Sequence, residues 1–199
     1  TIRRYQPNAM IVFNRGLIRN ETYNSEIDCL TFERNNPRKE VDEDGLHRAR
    51  EMCQVTNDHW GYAFDDLNYK SVGTLLENLA FCRKFRCNFV LNVGAHPDQV
   101  VTVQDRAIFD VIGRWIRLNG EAVYDVKPTE IRTDNEKDFV VKGADGYYLF
   151  VHDLSSAGDI NVVLESGIAK ELRLSDVPGK IRSITWLDTQ TDVRFSPEG

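Results

Sequence analysis

The segment Asn88-Phe89-Val90-Leu91-Asn92-Val93-Gly94 is the clearest indication of the fold class, because it stands between two stretches of helical periodicity. Before it, apolar residues from Val72 to Cys82 recur at the spacing of an amphipathic helix, which Ser71 can cap. After it, a second pattern of this kind runs from Ile108 to Leu118 and is followed by Gly120 as a helix stop. A strand between two helices is typical of parallel strands joined by crossover helices.

The same alternation extends upstream to the apolar run Ala9-Met10-Ile11-Val12-Phe13. An uninterrupted run of this kind predicts a parallel strand that is covered on both faces. A polar stretch from Gly16 to Gly45 follows, and connections of that length are usually functional or disordered. Downstream, Ala122-Val123-Tyr124 is predicted to begin a further strand. The pattern alone leaves open whether the sheet is doubly wound or closed into a (β/α)8 barrel.

The pattern changes near Asp134, where short strand-like runs replace the alternation of strands and helices. Turn signals such as Gly143-Ala144-Asp145-Gly146 and Pro178-Gly179 separate these runs. The runs are Phe139 to Val141, Tyr147 to His152, Ile160 to Leu164, Ala169 to Leu174, Ile181 to Leu187 and Val193 to Phe195. Short strands at this spacing predict a small antiparallel β-sandwich. We therefore predict a domain boundary between residues 1–133 and 134–199.

Composition and charge narrow the class of protein. A hydrophobic content of 41% and a charged content of 28% are those of a globular chain with a buried core. The net charge of -6 argues against nucleic acid as a partner, since no basic face is present to neutralise phosphates. No apolar run approaches the roughly 20 residues that a membrane-spanning helix requires. The sequence leaves the oligomeric state open.

The cysteines and histidines do not show the spacing of metal ligands, so no metal site is predicted. Cys53 and Cys82 lie in apolar surroundings and are interpreted as small buried hydrophobic residues. An even number of cysteines and the sequon Asn20-Glu21-Thr22 are compatible with an exported, disulfide-bonded protein. They do not decide the compartment, because both features also occur by chance.

Several short motifs follow one another between Glu51 and Tyr124. In chain order they are Glu51-Met52-Cys53, His59-Trp60-Gly61-Tyr62, Asn68-Tyr69-Lys70-Ser71, the segment from Asn88 to Gly94, and Asn119-Gly120-Glu121-Ala122-Val123-Tyr124. This succession resembles glycoside hydrolase family 29, the retaining α-L-fucosidases. The resemblance covers roughly Ile2 to Tyr124 and the general character of the C-terminal part.

The resemblance implies an α/β fold: the C-terminal half of a (β/α)8 barrel, followed by a small antiparallel β-sandwich. It also implies a fragment truncated at both ends, because the family's nucleophilic aspartate would precede Thr1 and one more strand would be expected after Gly199. Half a barrel leaves two open sheet edges, so we expect the chain alone to be unstable and inactive. The implied substrate is a fucosylated glycan or fucoside, no cofactor is required, and export to the periplasm, the extracellular space or a lysosome is expected.

The resemblance further implies which glutamate acts in catalysis. Retaining glycosidases use two carboxyl groups about 5–5.5 Å apart, one as nucleophile and one as acid and then base. Glu33 matches a family segment whose glutamate is the acid/base in part of the family, although Phe32 here replaces a proline. The alternatives are Glu51, expected to orient other groups, and Glu21, at a position that a linkage-specific branch uses. Each of the three could instead be an ordinary surface glutamate.

Arg15 and Trp60 are the candidate substrate-binding residues. Arg15 follows the first apolar run, where the family's arginine contacts the sugar and can donate hydrogen bonds to a hydroxyl. The ring of Trp60 can pack on the apolar side of a fucose, including its C6 methyl group, rather than in the core. Asn92 is expected to bridge loop backbone groups, and Arg86 replaces a family glycine and predicts local remodelling.

Departures from the family pattern leave a second function open, a non-hydrolytic carbohydrate-binding protein with a degraded active site. The altered positions are Phe32, Arg50, His59, Arg86, Ala95 and Gln99. A third possibility is a lectin-like sandwich, supported only by the aromatic residues Tyr147, Tyr148 and Trp186. These aromatic residues are more simply interpreted as packing within the sandwich.

Overall fold

The structure is a computed structural model that describes residues 2–15, 26–37, 48–98, 100–154 and 171–197. The chain separates into two units, Thr1–Arg114 and Trp115–Gly199. The first unit contains helix α1 (Ile2–Tyr5), strands β1 (Val12–Asn14), β2 (Cys29–Glu33) and β3 (Ala49–Val55), helix α2 (Val72–Lys84) and strand β4 (Asn88–Asn92). Helix α3 (Val103–Val123) begins in this unit. The predicted domain boundary after residue 133 remains a prediction.

Among the residues that the structure describes, the strands of the first unit form one four-stranded parallel sheet in the order β1-β2-β3-β4. The strands are in register so that Asn14 pairs with Thr31, Glu33 with Cys53 and Val55 with Asn92. Because all four strands run in the same direction, their carboxyl ends meet at one edge of the sheet. The α/β class predicted from the sequence is therefore confirmed for this unit.

The core of the first unit lies on one face of the sheet. Leu30, Phe32 and Met52 are fully buried there and pack with Cys82 of helix α2. Since successive residues of a strand point to opposite faces, Thr31, Glu33, Glu51 and Cys53 lie on the other face. The sheet thus has an apolar face packed under a helix and a second face that carries carboxylates and a thiol.

Helix α2 begins and ends at residues whose backbone geometry explains its limits. Ser71 caps it as predicted, since Ser71 Oγ accepts a hydrogen bond from the backbone N–H of Thr74 at 3.0 Å. After the last turn, Arg86 adopts the left-handed conformation with φ of 52°, and Cys87 N donates to Cys82 O at 2.8 Å. The tight turn expected of a glycine is therefore retained with an arginine in its place.

Strands β1 and β2 correct two predictions. The run from Ala9 to Phe13 was predicted as a strand covered on both faces, but β1 comprises only Val12–Asn14. Met10 is 74% exposed and Val12 is 50% exposed, because β1 is at the edge of the described sheet. Strand β2 (Cys29–Glu33) lies inside the stretch predicted to be a long polar connection. Its alternating apolar residues were obscured by the polar residues on either side.

Helix α3 confirms one prediction in part and corrects another. Regular helical geometry is interrupted at Asn119, where φ is -114° and ψ is 15°, next to the predicted stop at Gly120, and a further helical turn then runs to Val123. Ala122-Val123-Tyr124 does not begin a strand, because Tyr124 N donates to Gly120 O at 2.9 Å in a helical pattern. Three apolar residues are too few to set a strand.

The second unit contains short antiparallel strands: β5 (Lys127–Pro128), β6 (Arg132–Thr133), β7 (Phe139–Lys142), β8 (Tyr147–Phe150) and β9 (Leu174–Ser175). Strands β5, β7 and β8 form one sheet, and β6 pairs with β9 in another. The rings of Phe139 and Phe150 stack at 4.8 Å between centroids, next to buried Val140 and Val141. These residues form the centre of the second unit.

The strands predicted at Phe139 and at Tyr147 are confirmed. Those predicted from Ile181 to Leu187 and from Val193 to Phe195 are wrong, since this part of the chain has only one isolated bridge, between Thr185 and Asp192. Alternation of apolar and polar residues was present there, but a strand also requires a partner in register. The run from Ile160 to Leu164 lies outside the described residues.

Candidate active site

The carboxyl ends of the four parallel strands bring several polar side chains to one edge of the sheet. Strand β1 ends at Asn14, strand β2 at Glu33 and strand β4 at Asn92. Arg15 follows β1 directly, and the loop after β3 carries Trp60. In parallel α/β sheets this is the edge at which active sites form.

Glu33 is half-buried at this edge and is held by a neighbouring strand. Asn14 Nδ2 donates a hydrogen bond to Glu33 Oε2 at 2.6 Å. The register that pairs Asn14 with Thr31 places both side chains on the same face of the sheet. The sequence predicted no role for Asn14, although its position next to Arg15, directly after an apolar run, was the available signal.

Arg15 is brought to the same edge as Glu33. Its backbone N–H donates to Thr31 O at 2.7 Å, which continues the β1–β2 pairing by one residue. The residue is half-buried. The backbone of Arg15 is therefore held beside strand β2, which ends at Glu33.

Glu51 lies on the same face as Glu33 but deeper along the sheet. It pairs with Thr31 in register, whereas Glu33 pairs with Cys53. At about 3.3 Å per residue, Glu51 lies about 6.6 Å from the row of Glu33 along the strand direction. Such a position, inside a strand and away from its end, suits an orienting or structural group better than a group that exchanges protons with substrate. Glu21, the other alternative, lies outside the described residues.

The pKa of the Cys53 thiol is affected by burial and by these two carboxylates. Burial raises the pKa of Cys53, and the charges of Glu51 and then Glu33 raise it further. Glu51 also raises the pKa of Cys29, after the larger effect of burial. A thiolate on this face would therefore be opposed by two negative charges, which makes Cys53 an unsuitable nucleophile.

Trp60 lies at the surface next to the strand ends. Its residue is 37% exposed, and the guanidinium carbon of Arg34 lies 4.9 Å from the ring centroid. Asn92 Nδ2 donates to the backbone oxygen of Trp60 at 2.7 Å, which confirms the prediction that Asn92 bridges loop backbone groups. Arg34 therefore covers one side of the Trp60 ring, and the side-chain amide of Asn92 holds the Trp60 backbone.

The loop that carries Trp60 is organised by Asp66, a residue that the sequence reasoning missed. The Oδ2 atom of Asp66 accepts hydrogen bonds from the backbone N–H groups of Asp58 at 3.0 Å and His59 at 3.1 Å. The Oδ1 atom of Asp66 accepts a third, from the backbone N–H of Asn68 at 3.1 Å. His59 Nδ1 lies 2.7 Å from the same Oδ2. The hydrogen bond from the His59 side chain is the largest of several that lower the pKa of Asp66.

Two further contacts fix the base of this loop. Lys70 Nζ donates to Asn57 O at 2.5 Å, and burial lowers the pKa of Lys70. The backbone of Gly94 approaches Gly61 so closely that a Cβ at position 94 would lie 2.5 Å from the carbonyl carbon of Gly61. The loops after β3 and β4 are therefore packed backbone to backbone.

The cysteines are free thiols in the described parts of the chain. Cys82 is buried as predicted, while Cys53 is only half-buried. A hydrogen bond with Cys87 and burial raise the pKa of the Cys82 thiol. No group of three or more metal-ligating side chains occurs among the described residues. None of the helices that the structure describes is long and apolar enough to cross a bilayer.

Comparison with known proteins shows what the chain resembles. A family model described as alpha-L-fucosidase matches residues 1–121. Bovine tissue alpha-L-fucosidase is 30% identical over 154 residues, which are 73% of this chain and 30% of that protein. The human tissue alpha-L-fucosidase is 27% identical over 158 residues, which are 74% of this chain and 30% of that protein. The chain thus spans less than a third of the length of these curated relatives.

Two solved structures share the fold. Alpha-L-fucosidase isoenzyme 1 from Paenibacillus thiaminolyticus superposes with a TM-score of 0.68 at 22% identity, covering 98% of this chain and 44% of that one. The Thermotoga maritima alpha-fucosidase in complex with a mechanism-based inhibitor superposes with a TM-score of 0.64 at 16% identity, covering 99% of this chain and 41% of that one. At these identities the likeness is one of fold alone.

Proposed function

We propose a function from one premise: this chain belongs to the alpha-L-fucosidase family. The function is hydrolysis of α-L-fucosyl linkages in glycans with retention of configuration at the fucose C1. The observation that carries the proposal is the position of Glu33, which is half-buried at the carboxyl edge of a parallel sheet and held there by Asn14 at 2.6 Å. Arg15 and Trp60 at the same edge supply a cation and an aromatic ring for the sugar.

The fold that we propose for the whole protein is a (β/α)8 barrel, of which this chain contributes the C-terminal half. The four parallel strands and the likeness to solved fucosidases support it. The face of the sheet that carries Glu33 and Glu51 would then line the barrel interior. Residues 134–199 are proposed to form the β-sandwich that follows the barrel, and the antiparallel pair β7–β8 supports this assignment. Strands β5 and β6, which precede residue 134, pair with β7 and β9.

In the proposed mechanism Glu33 acts first as an acid. Its proton goes to the glycosidic oxygen while a carboxylate attacks the fucose C1, so that the leaving sugar departs neutral. Glu33 then removes a proton from water, which attacks C1 and releases fucose with the original configuration. We propose that the attacking carboxylate belongs to the part of the relatives' length that this chain does not span. This chemistry requires no cofactor.

The other candidate residues receive supporting roles in this proposal. The Arg15 guanidinium would donate hydrogen bonds to a fucose hydroxyl, and the Trp60 ring would pack on the apolar side of the sugar. Glu51 is assigned to orienting neighbouring groups, because it lies inside β3 rather than at its end. Glu21 stays an alternative acid/base until it is tested. A fucosylated glycan is the proposed substrate, and an exported location is proposed with it.

The experiment is hydrolysis of an aryl α-L-fucoside and of a fucosylated oligosaccharide by the full-length protein and by its Glu33→Gln variant. Because the amide cannot donate an acid proton, we expect kcat/KM for the oligosaccharide to fall about 10²–10⁴-fold. The aryl leaving group needs less protonation, so its loss is expected to be smaller. Azide, which attacks without a general base, should restore turnover of the aryl fucoside and yield fucosyl azide.

Glu130→Gln is the matched control, since Glu130 is an exposed glutamate of the second unit. Equal activity of the Glu33→Gln variant and the parent would move the acid/base role to Glu51 or Glu21. A folded parent that turns over neither substrate but binds the oligosaccharide would replace hydrolysis with the carbohydrate-binding function.

A further inference from the structure

We propose that His59, positioned by the buried carboxylate of Asp66, determines substrate specificity by binding the leaving sugar together with Arg34. This inference rests on the proposed function. It names the residues that contact the sugar released from fucose. The leaving group that these residues would recognise is a saccharide, through its hydroxyl groups.

The hydrogen bonds of Asp66 define the orientation of the His59 ring. The side chain of Asp66 is 3% exposed and that of His59 is 62% exposed, so the pair joins a buried carboxylate to a ring in solvent. Asp66 Oδ2 already accepts two backbone N–H groups, so it acts as a carboxylate acceptor and His59 Nδ1 is the donor. In the neutral ring this leaves the lone pair on Nε2.

The other ring nitrogen of His59, Nε2, takes no part in the hydrogen bond to Asp66. Among residues that the structure describes, it has no hydrogen-bond partner of its own. The loop itself is already held by the backbone groups that donate to Asp66 and by the bond from Asn92 to Trp60. The additional bond to the His59 side chain is therefore best explained by a need to fix Nε2, which is the arrangement of a histidine that contacts substrate.

Arg34 places a second polar group beside His59. Its Nη2 donates to the backbone oxygen of Asp58 at 2.6 Å, and its guanidinium lies over the Trp60 ring. His59 lies between these two contact points in the chain. Arg34 itself has a φ of 55°, a left-handed conformation that is unfavourable for an arginine. The chain therefore turns sharply after Glu33 and directs the arginine onto the loop that carries His59.

The place of Arg34 directly after Glu33 in the chain indicates which part of the substrate Arg34 and His59 meet. A general acid must lie within hydrogen-bond reach of the oxygen that it protonates, so the leaving sugar lies beside Glu33. Arg34 follows Glu33 directly and is exposed, as is His59. The guanidinium can donate to sugar hydroxyls and Nε2 can accept from one, whereas a simple aryl leaving group offers no such hydroxyl.

The test compares kcat/KM for a fucosylated oligosaccharide with kcat/KM for an aryl fucoside in the full-length protein. His59→Asn keeps an N–H donor near the position of Nδ1 for Asp66 but removes Nε2. We expect it to lower the oligosaccharide-to-aryl ratio about tenfold, the loss of one good hydrogen bond. His96→Asn is the matched control, since His96 Nδ1 also lies beside a carboxylate, at 3.1 Å from Asp98. That ratio should not change in the control.

An unchanged ratio in the His59→Asn variant of an active protein overturns the inference and leaves the proposed function intact. Failure of the parent to cleave either substrate overturns the proposed function and the inference with it, so the two failures are distinguishable. If His59→Asn does not fold, Arg34→Gln at the exposed turn is the second variant, and an unchanged ratio there also overturns the inference. Asp66→Asn should lower the ratio in the same direction, because it releases the ring of His59.

Discussion

Asn14 and Glu33 are joined by a 2.6 Å hydrogen bond between the amide nitrogen of one parallel strand and the carboxylate of the next. The bond forms across the end of the β1–β2 pairing, where Asn14 pairs with Thr31. It therefore links the orientation of the candidate acid/base directly to the pairing of the sheet.

Asn14→Ala tests whether this bond matters for catalysis. Net loss of one hydrogen bond to the acid costs about 0.5–1.5 kcal/mol, so we expect kcat/KM for a fucosylated oligosaccharide to fall about 2- to 10-fold. Asn35→Ala is the control, because Asn35 Nδ2 donates to the main-chain oxygen of Glu33 at 2.7 Å and not to its carboxylate. Equal losses in both variants would show that the carboxylate contact has no special role.

Gly94 is predicted to be intolerant of a side chain. A Cβ there would lie 2.5 Å from Gly61 C and 2.6 Å from Tyr62 N, both backbone atoms that cannot rotate away. We expect Gly94→Ala to lower the free energy of unfolding by about 1–3 kcal/mol and to displace the loop of Trp60. Gly61→Ala, which would meet nothing within 4 Å, should change stability by less than about 0.5 kcal/mol. Urea unfolding of both variants checks the prediction, and equal effects would refute it.

Asp66 is predicted to make stability depend on acid pH. Hydrogen bonds from His59 and the backbone lower its folded-state pKa, so its contribution is fully present above the unfolded value near pH 4. That contribution is lost as the pH falls through the lower folded-state value, when the carboxylate takes up a proton. Asp66→Asn should therefore be less stable than the parent at pH 6, and the difference should shrink below pH 4. Melting temperatures across this range measure it, and a difference that does not vary with pH would count against the assignment.

Arg86 offers a stabilising substitution. It adopts a φ of 52°, which costs a residue with a Cβ more than it costs glycine. We expect Arg86→Gly to raise the free energy of unfolding by about 0.5–1 kcal/mol, despite the added freedom of glycine in the unfolded chain. Arg182→Gly, at an exposed arginine without positive φ, should instead be neutral or destabilising. A lower melting temperature for Arg86→Gly would contradict the prediction.

The reactivity of Cys53 tests how strongly Glu33 and Glu51, on the same face of the sheet, affect its pKa. Because Glu51 and Glu33 raise its pKa, with Glu51 the larger of the two, Glu51→Gln should speed alkylation at pH 8 more than Glu33→Gln does. The rate of iodoacetamide labelling at Cys53, followed by mass spectrometry of its peptide, gives the comparison. The fully buried Cys82 should stay unlabelled and serves as the internal control. The reverse order of rates would mean that Glu51 is further from this thiol than Glu33.

The sequence predicted the features that arise from local periodicity or from a recognised succession of motifs. The cap at Ser71, helix α2 and strand β4 follow from apolar spacing and a side-chain oxygen in the right place. Strand β2 escaped prediction because five residues between polar segments carry too little periodicity. Helix α3 is interrupted at Asn119, next to the predicted stop at Gly120, and a further helical turn follows because a single glycine costs a helix only about 1 kcal/mol.

The missed site residues act through contacts that periodicity does not encode. Asn14 matters because parallel pairing places it beside Glu33, and Asp66 because a loop folds back on its carboxylate. Arg34 lies on Trp60 only through an unusual backbone turn. Pairings between distant segments depend on the three-dimensional fold, so one sequence without its structure could name Glu33 and Trp60 but not the groups that hold them.

The register of β2 has a consequence for how errors in folding would be handled. A slip by one residue would exchange Glu33 for Phe32 at the sheet edge and turn Leu30 and Phe32 away from helix α2. The same error that removes the acid from its place would thus expose Phe32, which is otherwise fully buried. A misfolded copy would be recognisable to chaperones and proteases by its apolar surface, so an inactive but persistent form of the protein is not expected to accumulate.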